Sequence, residues 1–165
     1  MSIIYSDVER QQSLEKEPYT ILTKRYRGIK KDLDGQEIVL PLFSGKDGFF
    51  KGFYTDREYT NNASLCFFFS KEKSKNDESS SFFVRMKYSF DCDEHNYWYY
   101  KRHTDLLRKR VPYFYIPFAS NFEFSHNVDD RFNMMFDIIV ETEENVLQAC
   151  YCLLNLIIAI FSFED

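Results

Sequence analysis

From Val146 to Phe163 the chain runs for eighteen residues without a charged side chain. Thr142 offers a side-chain oxygen to cap a helix there, and Glu143 and Glu144 suit the positive end of its dipole. The spacing of Val146, Leu147, Cys150, Leu153, Leu154, Ile157, Ile158 and Phe161 predicts a long helix from 143 to about 161, apolar on nearly all sides. A helix of that kind is buried, so the rest of the chain must supply a surface to cover it. A membrane tail anchor is the other way to bury such a run, since about 20 apolar residues cross a bilayer. Gln148 and Asn155 fall inside this one, acids flank both ends, and no Lys or Arg is placed to meet a headgroup layer. The run is therefore read as a helix inside a folded core or an interface.

The surface that covers it reads as a sheet. Phe82, Val84, Met86, Tyr88 and Phe90 alternate with Phe83, Arg85, Lys87 and Ser89, the period of a strand with one wet face. Phe132, Met134, Phe136, Ile138 and Val140 alternate with Asn133, Met135, Asp137 and Ile139. The outward set of this second strand is only half polar, so Met135 and Ile139 need a cover. Leu65–Phe69 and the run from Gln36 to Phe43 read as further strands, the latter at an edge because Pro41 lacks an N–H. Phe49–Tyr54 is a short aromatic candidate after a turn at 44–48. Tyr113–Ile116, bracketed by Pro112 and Pro117, reads as an edge or bulged strand. Residues 70–81 form a charged, low-complexity loop.

Two other segments read as helical or ambiguous. Tyr99, His103, Leu106, Leu107 and Arg110 recur at helical spacing, with Asp93 or Asn96 as cap and Arg108, Lys109 and Arg110 at the end that favours cations. Residues 19–31 fit an exposed strand or a short amphipathic helix. Residues 1–17 fit a short helix ending before Pro18 or a frayed arm. No repeat or linker interrupts the chain, and one domain over 1–165 is expected. The fold expected is α+β: a mostly antiparallel sheet of five or six strands, with the C-terminal helix across one face.

Composition narrows the function classes. Phe and Tyr supply thirty residues and Gly and Pro nine, which implies a dense aromatic core and few tight hairpins. The bias toward Phe, Tyr, Ile, Asn and Lys suits an AT-rich coding sequence, as in a low-GC bacterium, a phage, a virus or certain protists. A net charge of −5 argues against a nucleic-acid binder. The opening Met-Ser-Ile-Ile-Tyr-Ser-Asp lacks the basic and apolar regions of a signal peptide. The expectation is a cytoplasmic protein with no membrane attachment, its four cysteines free, reduced and largely buried.

No catalytic or metal frame stands out. Cys92 with His95, and Cys150 with Cys152, match no zinc spacing, and a C-x-C pair on a helix splays its ligands apart. His103-Thr104-Asp105 resembles one half of a two-histidine phosphoesterase element. Neither His95 nor His126 completes it, so His103 reads as a solvated helix-face residue. The Gly45-Lys46 pair lacks the phosphate-loop frame. The acids at Asp91, Asp93, Glu94, Asp129, Asp130, Glu141, Glu143 and Glu144 read as solvated. No metal and no cofactor are expected.

The run Asn96-Tyr97-Trp98-Tyr99-Tyr100-Lys101-Arg102 holds the only Trp among three Tyr and two cations. Four consecutive aromatics cannot all face one core on any regular element. Tyr, Trp and Arg dominate interface hot spots, so Tyr97, Trp98, Tyr99, Tyr100 and Arg102 are the candidate partner-binding residues. Charge sign also alternates in blocks, with basic 24–31 and 101–110 against acidic 91–94 and 129–144, a pattern suited to steered partner choice. The stretch from Tyr99 to Leu106, followed by the Ile116-Pro117 step, resembles the phosphoinositide-binding phox-homology arrangement. The likeness covers under a fifth of the chain and lacks that family's proline-rich segment, so no residue role is carried over.

The expected function is a non-enzymatic protein-binding or inhibitor module. A toxin-neutralising immunity protein, or a phage- or virus-encoded inhibitor of a host or defence protein, fits that description. The alternatives are a small enzyme with a spatially assembled Cys/His or His/Asp site, and a structural subunit docking through its C-terminal helix. The partner expected is another protein, with a homodimer through the 143–161 helix as a further arrangement.

Overall fold

The two alternating segments pair at the centre of a five-stranded antiparallel sheet, and the apolar run lies across it. The computed structural model describes residues 18–41, 63–73, 80–94 and 96–162. The strands are β1 (Glu37–Pro41), β2 (Ser64–Lys73), β3 (Ser80–Asp91), β4 (Ala119–Val128) and β5 (Arg131–Val140). Their order is β1-β2-β3-β5-β4, so β1 and β4 are the edges. Three helices accompany them: α1 over residues 18–29, α2 (Tyr97–Arg110) and α3 (Val146–Ser162). The class is α+β.

Register puts one continuous apolar face under the helices. Ile38, Phe67, Met86, Phe136 and Phe124 form one row across all five strands, and Leu40, Leu65, Tyr88, Met134 and His126 form the next. Every member of the two rows from β1, β2, β3 and β5 is buried. α3 packs on β3 and β5 and touches α2. Its Val146, Ala149, Cys150, Leu153, Leu154, Leu156 and Ile157 are all buried within the chain, while Gln148 and Asn155 are exposed. α1 lies along α3. The Tyr26 hydroxyl donates to Glu143 Oε1 at 2.7 Å, Thr23 meets the Tyr151 hydroxyl, and the Tyr19 hydroxyl donates to Asn155. Burial and the Glu143 carboxylate push the Tyr26 hydroxyl far above its ordinary pKa, so it remains a donor. No helix among the described residues is long and apolar enough to cross a membrane.

Several expectations are corrected. The α-helical part of the C-terminal run is seventeen residues, and Glu143–Asn145 form a 3-10 turn before it. The Thr142 hydroxyl makes no cap to a backbone N–H and instead accepts from the Asn145 amide at 2.8 Å. Asn96 stands at the N-cap of α2 without capping through its side chain. Its amide donates to the Asp91 carbonyl at 2.6 Å. Residues 19–31 are helical, with a closing 3-10 turn at Lys30–Asp32. The chain then reverses at Gly35, whose φ of +78° suits glycine, and the Gly35 N–H donates to the Phe69 carbonyl. Strands β2 and β3 extend to Lys73 and from Ser80, into what reads as loop by sequence.

Tyr113–Ile116 is not a strand. Pro112 sits in a 3-10 turn at Val111–Tyr113, and Pro117 starts a turn of its own, so the residues between have no ladder to join. The strand comes later, as β4. It bulges where Asn121 and Phe122 face the single residue Ile138, with Asn121 at φ 54°.

The acids expected to be solvated are mostly exposed, and several of them also hold partners. Asp91 pairs with Arg131 at 2.9 Å, and Asp93 accepts from the Asn96 N–H at 3.1 Å. Asp129 accepts from the Arg131 N–H at 2.8 Å and the Asn133 amide at 3.0 Å, which hold its carboxyl down to about 2. The expected turn at 44–48, strand at 49–54 and segment 1–17 lie outside the described residues, as does His95.

Candidate functional site

α2 divides the aromatic run between two environments. Successive residues on a helix rotate by about 100°, so Tyr99 and Tyr100 turn inward while Tyr97 and Trp98 face out. Tyr99 and Tyr100 are 8% and 6% exposed, and Tyr97 and Trp98 are 49% and 68% exposed. Of the five candidates, Tyr97, Trp98 and Arg102 are exposed at the surface, while Tyr99 and Tyr100 are buried beneath it. Lys101 places its ammonium 5.6 Å from the centre of the Trp98 ring, and these two line a shallow depression with Arg102 and Asp105. α2 carries five cations against one carboxylate, in a chain whose net charge is −5.

The surface continues past the helix, where sequence reasoning placed a strand. Tyr113, Tyr115 and Phe118 are 90%, 79% and 62% exposed. Five of the seven exposed large hydrophobic residues among those described thus fall between 97 and 118. Phe118 is held there against its own backbone preference. The Ala119 N–H reaches back to the Ile116 carbonyl across a turn with Pro117 second and Phe118 third, and Phe118 has φ 67°. This is the type II pattern, whose third position favours glycine. A bulky residue in the left-handed region costs about 1–2 kcal/mol, and this one gains little burial in return. The signal available in the sequence was Pro117 followed by a residue that is not glycine.

Beneath α2, the helix is fastened to edge strand β4 through His126. The Arg108 guanidinium donates to His126 Nε2 at 2.5 Å, and the Tyr100 hydroxyl lies 2.6 Å from Nδ1. Arginine can only donate, so Nε2 must carry a lone pair and the proton sits on Nδ1, with the Tyr100 oxygen accepting it. Burial, followed by the Arg108 charge, lowers the pKa of His126 below its ordinary value, with Asp105 opposing. The folded state therefore takes up this proton less readily than the unfolded chain. Stability linked to His126 is complete above about pH 6.5 and is lost as pH falls through the lowered folded value. Thermal unfolding measured from pH 7.5 to 5 should show a steeper loss for the wild type than for His126→Gln. Equal slopes would remove the linkage.

The other titratable candidates differ in burial. His103 is fully buried, not solvated, among the rings of Tyr88, Phe90 and Tyr99 at 6.1, 6.5 and 5.6 Å. Cys150 is buried in the core and Cys152 half-buried, and burial raises both thiols. Cys66 is half-buried and also raised, and Cys92 is exposed, contrary to its expected burial. Among the described residues no three His, Cys, Asp or Glu side chains gather as a metal-ligand set. Comparison with protein-family models, curated proteins and solved structures finds no match.

Proposed function

We propose that the chain is a non-enzymatic, cytoplasmic binding protein that docks another protein on the face made by α2 and residues 111–118. The observation that carries this reading is that Tyr97, Trp98, Tyr113, Tyr115 and Phe118, five of the seven exposed large hydrophobic residues described, fall between 97 and 118. Scattered exposed apolar residues need no explanation, but here two adjoin at the start of α2 and three crowd the stretch just past its end. The strained Phe118 adds to it, because a residue that is both disfavoured by its backbone and left in solvent serves something other than folding. The excess of cations on α2 favours a partner with an acidic face. A toxin-neutralising immunity protein or a phage- or virus-encoded inhibitor is the kind of protein that works this way.

The test is native mass spectrometry of the tagged protein purified from its source lysate. A stoichiometric partner should be retained by the wild type. Trp98→Ala and Tyr115→Ala should each weaken it by about thirtyfold, the loss of a hot-spot residue, with folding unchanged. Phe118→Gly should stabilise the fold by about 0.5–1 kcal/mol while weakening the partner. A partner indifferent to all three variants, or a bare monomer, would remove the docking surface.

A further inference from the structure

The sheet face opposite the helices is not a plain solvated surface. Its register rows run Glu37, Phe68, Arg85, Asp137, Glu123 and Val39, Cys66, Lys87, Met135, Ser125, with Ser70, Phe83 and Ile139 alongside. Antiparallel sheets with one wet face place polar residues there, yet Phe68, Phe83, Met135 and Ile139 all point to this side. Met135 is only 9% exposed. Phe68, Ser70, Phe83, Arg85, Lys87 and Met135 line a cleft of about 300 Å³, at the small end of ligand sites.

The polar groups of this cleft select the ligand. Two cations line it and no carboxylate does. Arg85 is already engaged, its guanidinium bound by both oxygens of Asp137 at 2.8 Å and lying 5.7 Å from the Phe83 ring centre. This fork fixes one wall. Among the described residues Lys87 has no carboxylate within salt-bridge distance. Its charge reaches the Asp129 carboxylate without an ion-pair contact, and its side chain lies beside an aromatic and thioether floor. A cationic ligand is repelled, and a neutral apolar one leaves Lys87 unanswered.

The geometry points to this cleft as a binding site for a small aromatic carboxylate, its ring set against Phe68, Phe83 and Met135 and its carboxylate on Lys87. The site lies on the opposite side of the sheet from α2 and does not depend on the docking surface. Occupancy joins β2, β3 and β5 across this face, where among the described residues no helix packs over Phe68, Phe83, Met135 and Ile139.

Titration of the full-length, isotopically labelled protein with 2-naphthoate and with the neutral 2-naphthamide tests this by backbone amide shifts. Naphthoate should saturate at one equivalent, with shifts centred on Phe68, Phe83, Lys87 and Met135. It should bind about tenfold more tightly than the amide, the contribution of one charge-assisted contact at a half-open site. Lys87→Met keeps the aliphatic stem and should erase that preference while leaving the amide's affinity unchanged. Met135→Trp, which fills the cleft, should abolish both. Equal affinities for the two probes, a preference that survives Lys87→Met, shifts centred on residues 97–118, or no saturable binding would each overturn the assignment.

Discussion

Phe136→Ala should lower the free energy of unfolding by about 3–5 kcal/mol, the usual cost of emptying a large aromatic site in a close-packed core. Phe136 is fully buried at the fourth position of the row Ile38, Phe67, Met86, Phe136, Phe124. Its ring stacks on Phe124 at 5.0 Å and meets Phe122 at 6.3 Å. Both partners belong to β4, an edge strand whose own burial is slight. The substitution therefore removes the main apolar hold on that edge as well as opening a cavity beneath the helices. Urea unfolding followed by far-ultraviolet circular dichroism measures it. Val128→Ala, exposed on the same edge, should shift stability by no more than about 0.5 kcal/mol. A Phe136→Ala loss below about 1 kcal/mol would mean that the row is not close-packed.

That row also shows which parts of the fold were legible beforehand. β3 and β5 are interior strands, buried on the helix side and wetter on the other, so period 2 was written plainly in Phe82–Phe90 and Phe132–Val140. β1 was legible through Pro41, a residue that an interior strand does not accept. β4 was not legible, because an edge strand gains its place from its neighbour. Its residues are mostly polar and exposed, Phe122 and Phe124 are its main apolar anchors, and the bulge at Asn121 breaks the alternation. The helical state of residues 19–31 was undecided because basic residues interrupt the stripe, and packing of Leu22 and Tyr26 on the core decides it. At the surface, the aromatic run was visible but its division was not. The face of α2 that carries His103 and Leu107 into the core also takes Tyr99 and Tyr100 inward. Tyr115 and Phe118 belong to the exposed surface because the chain between Pro112 and Pro117 turns instead of pairing. The cleft left traces in the outward apolar Phe83 and Met135 beside Arg85 and Lys87, while cross-strand register brings them together with Phe68.

His103→Ala should destabilise the protein by about 2–4 kcal/mol, although His103 reads in the sequence as a solvated helix-face residue. The residue is 0% exposed on the inner side of α2, in van der Waals range of Tyr88 and Phe90 from β3 and Tyr99 from its own helix. Truncation leaves a hole bounded by three rings that are themselves buried, and such walls collapse poorly. His126→Ala removes a half-buried ring from an edge strand, so its cost at pH 7.5 should be about 1 kcal/mol. The contrast bears on function. A lost activity in His103→Ala would report unfolding and not missing chemistry, so the enzyme reading cannot be tested by that variant alone. Thermal unfolding of the two variants at pH 7.5 separates the roles. A His103→Ala protein as stable as wild type would contradict its place in the core and reopen the spatially assembled His site of the enzyme alternative. A large loss, with Trp98→Ala folding normally, leaves the outward face of α2 as the part of the helix available to a partner.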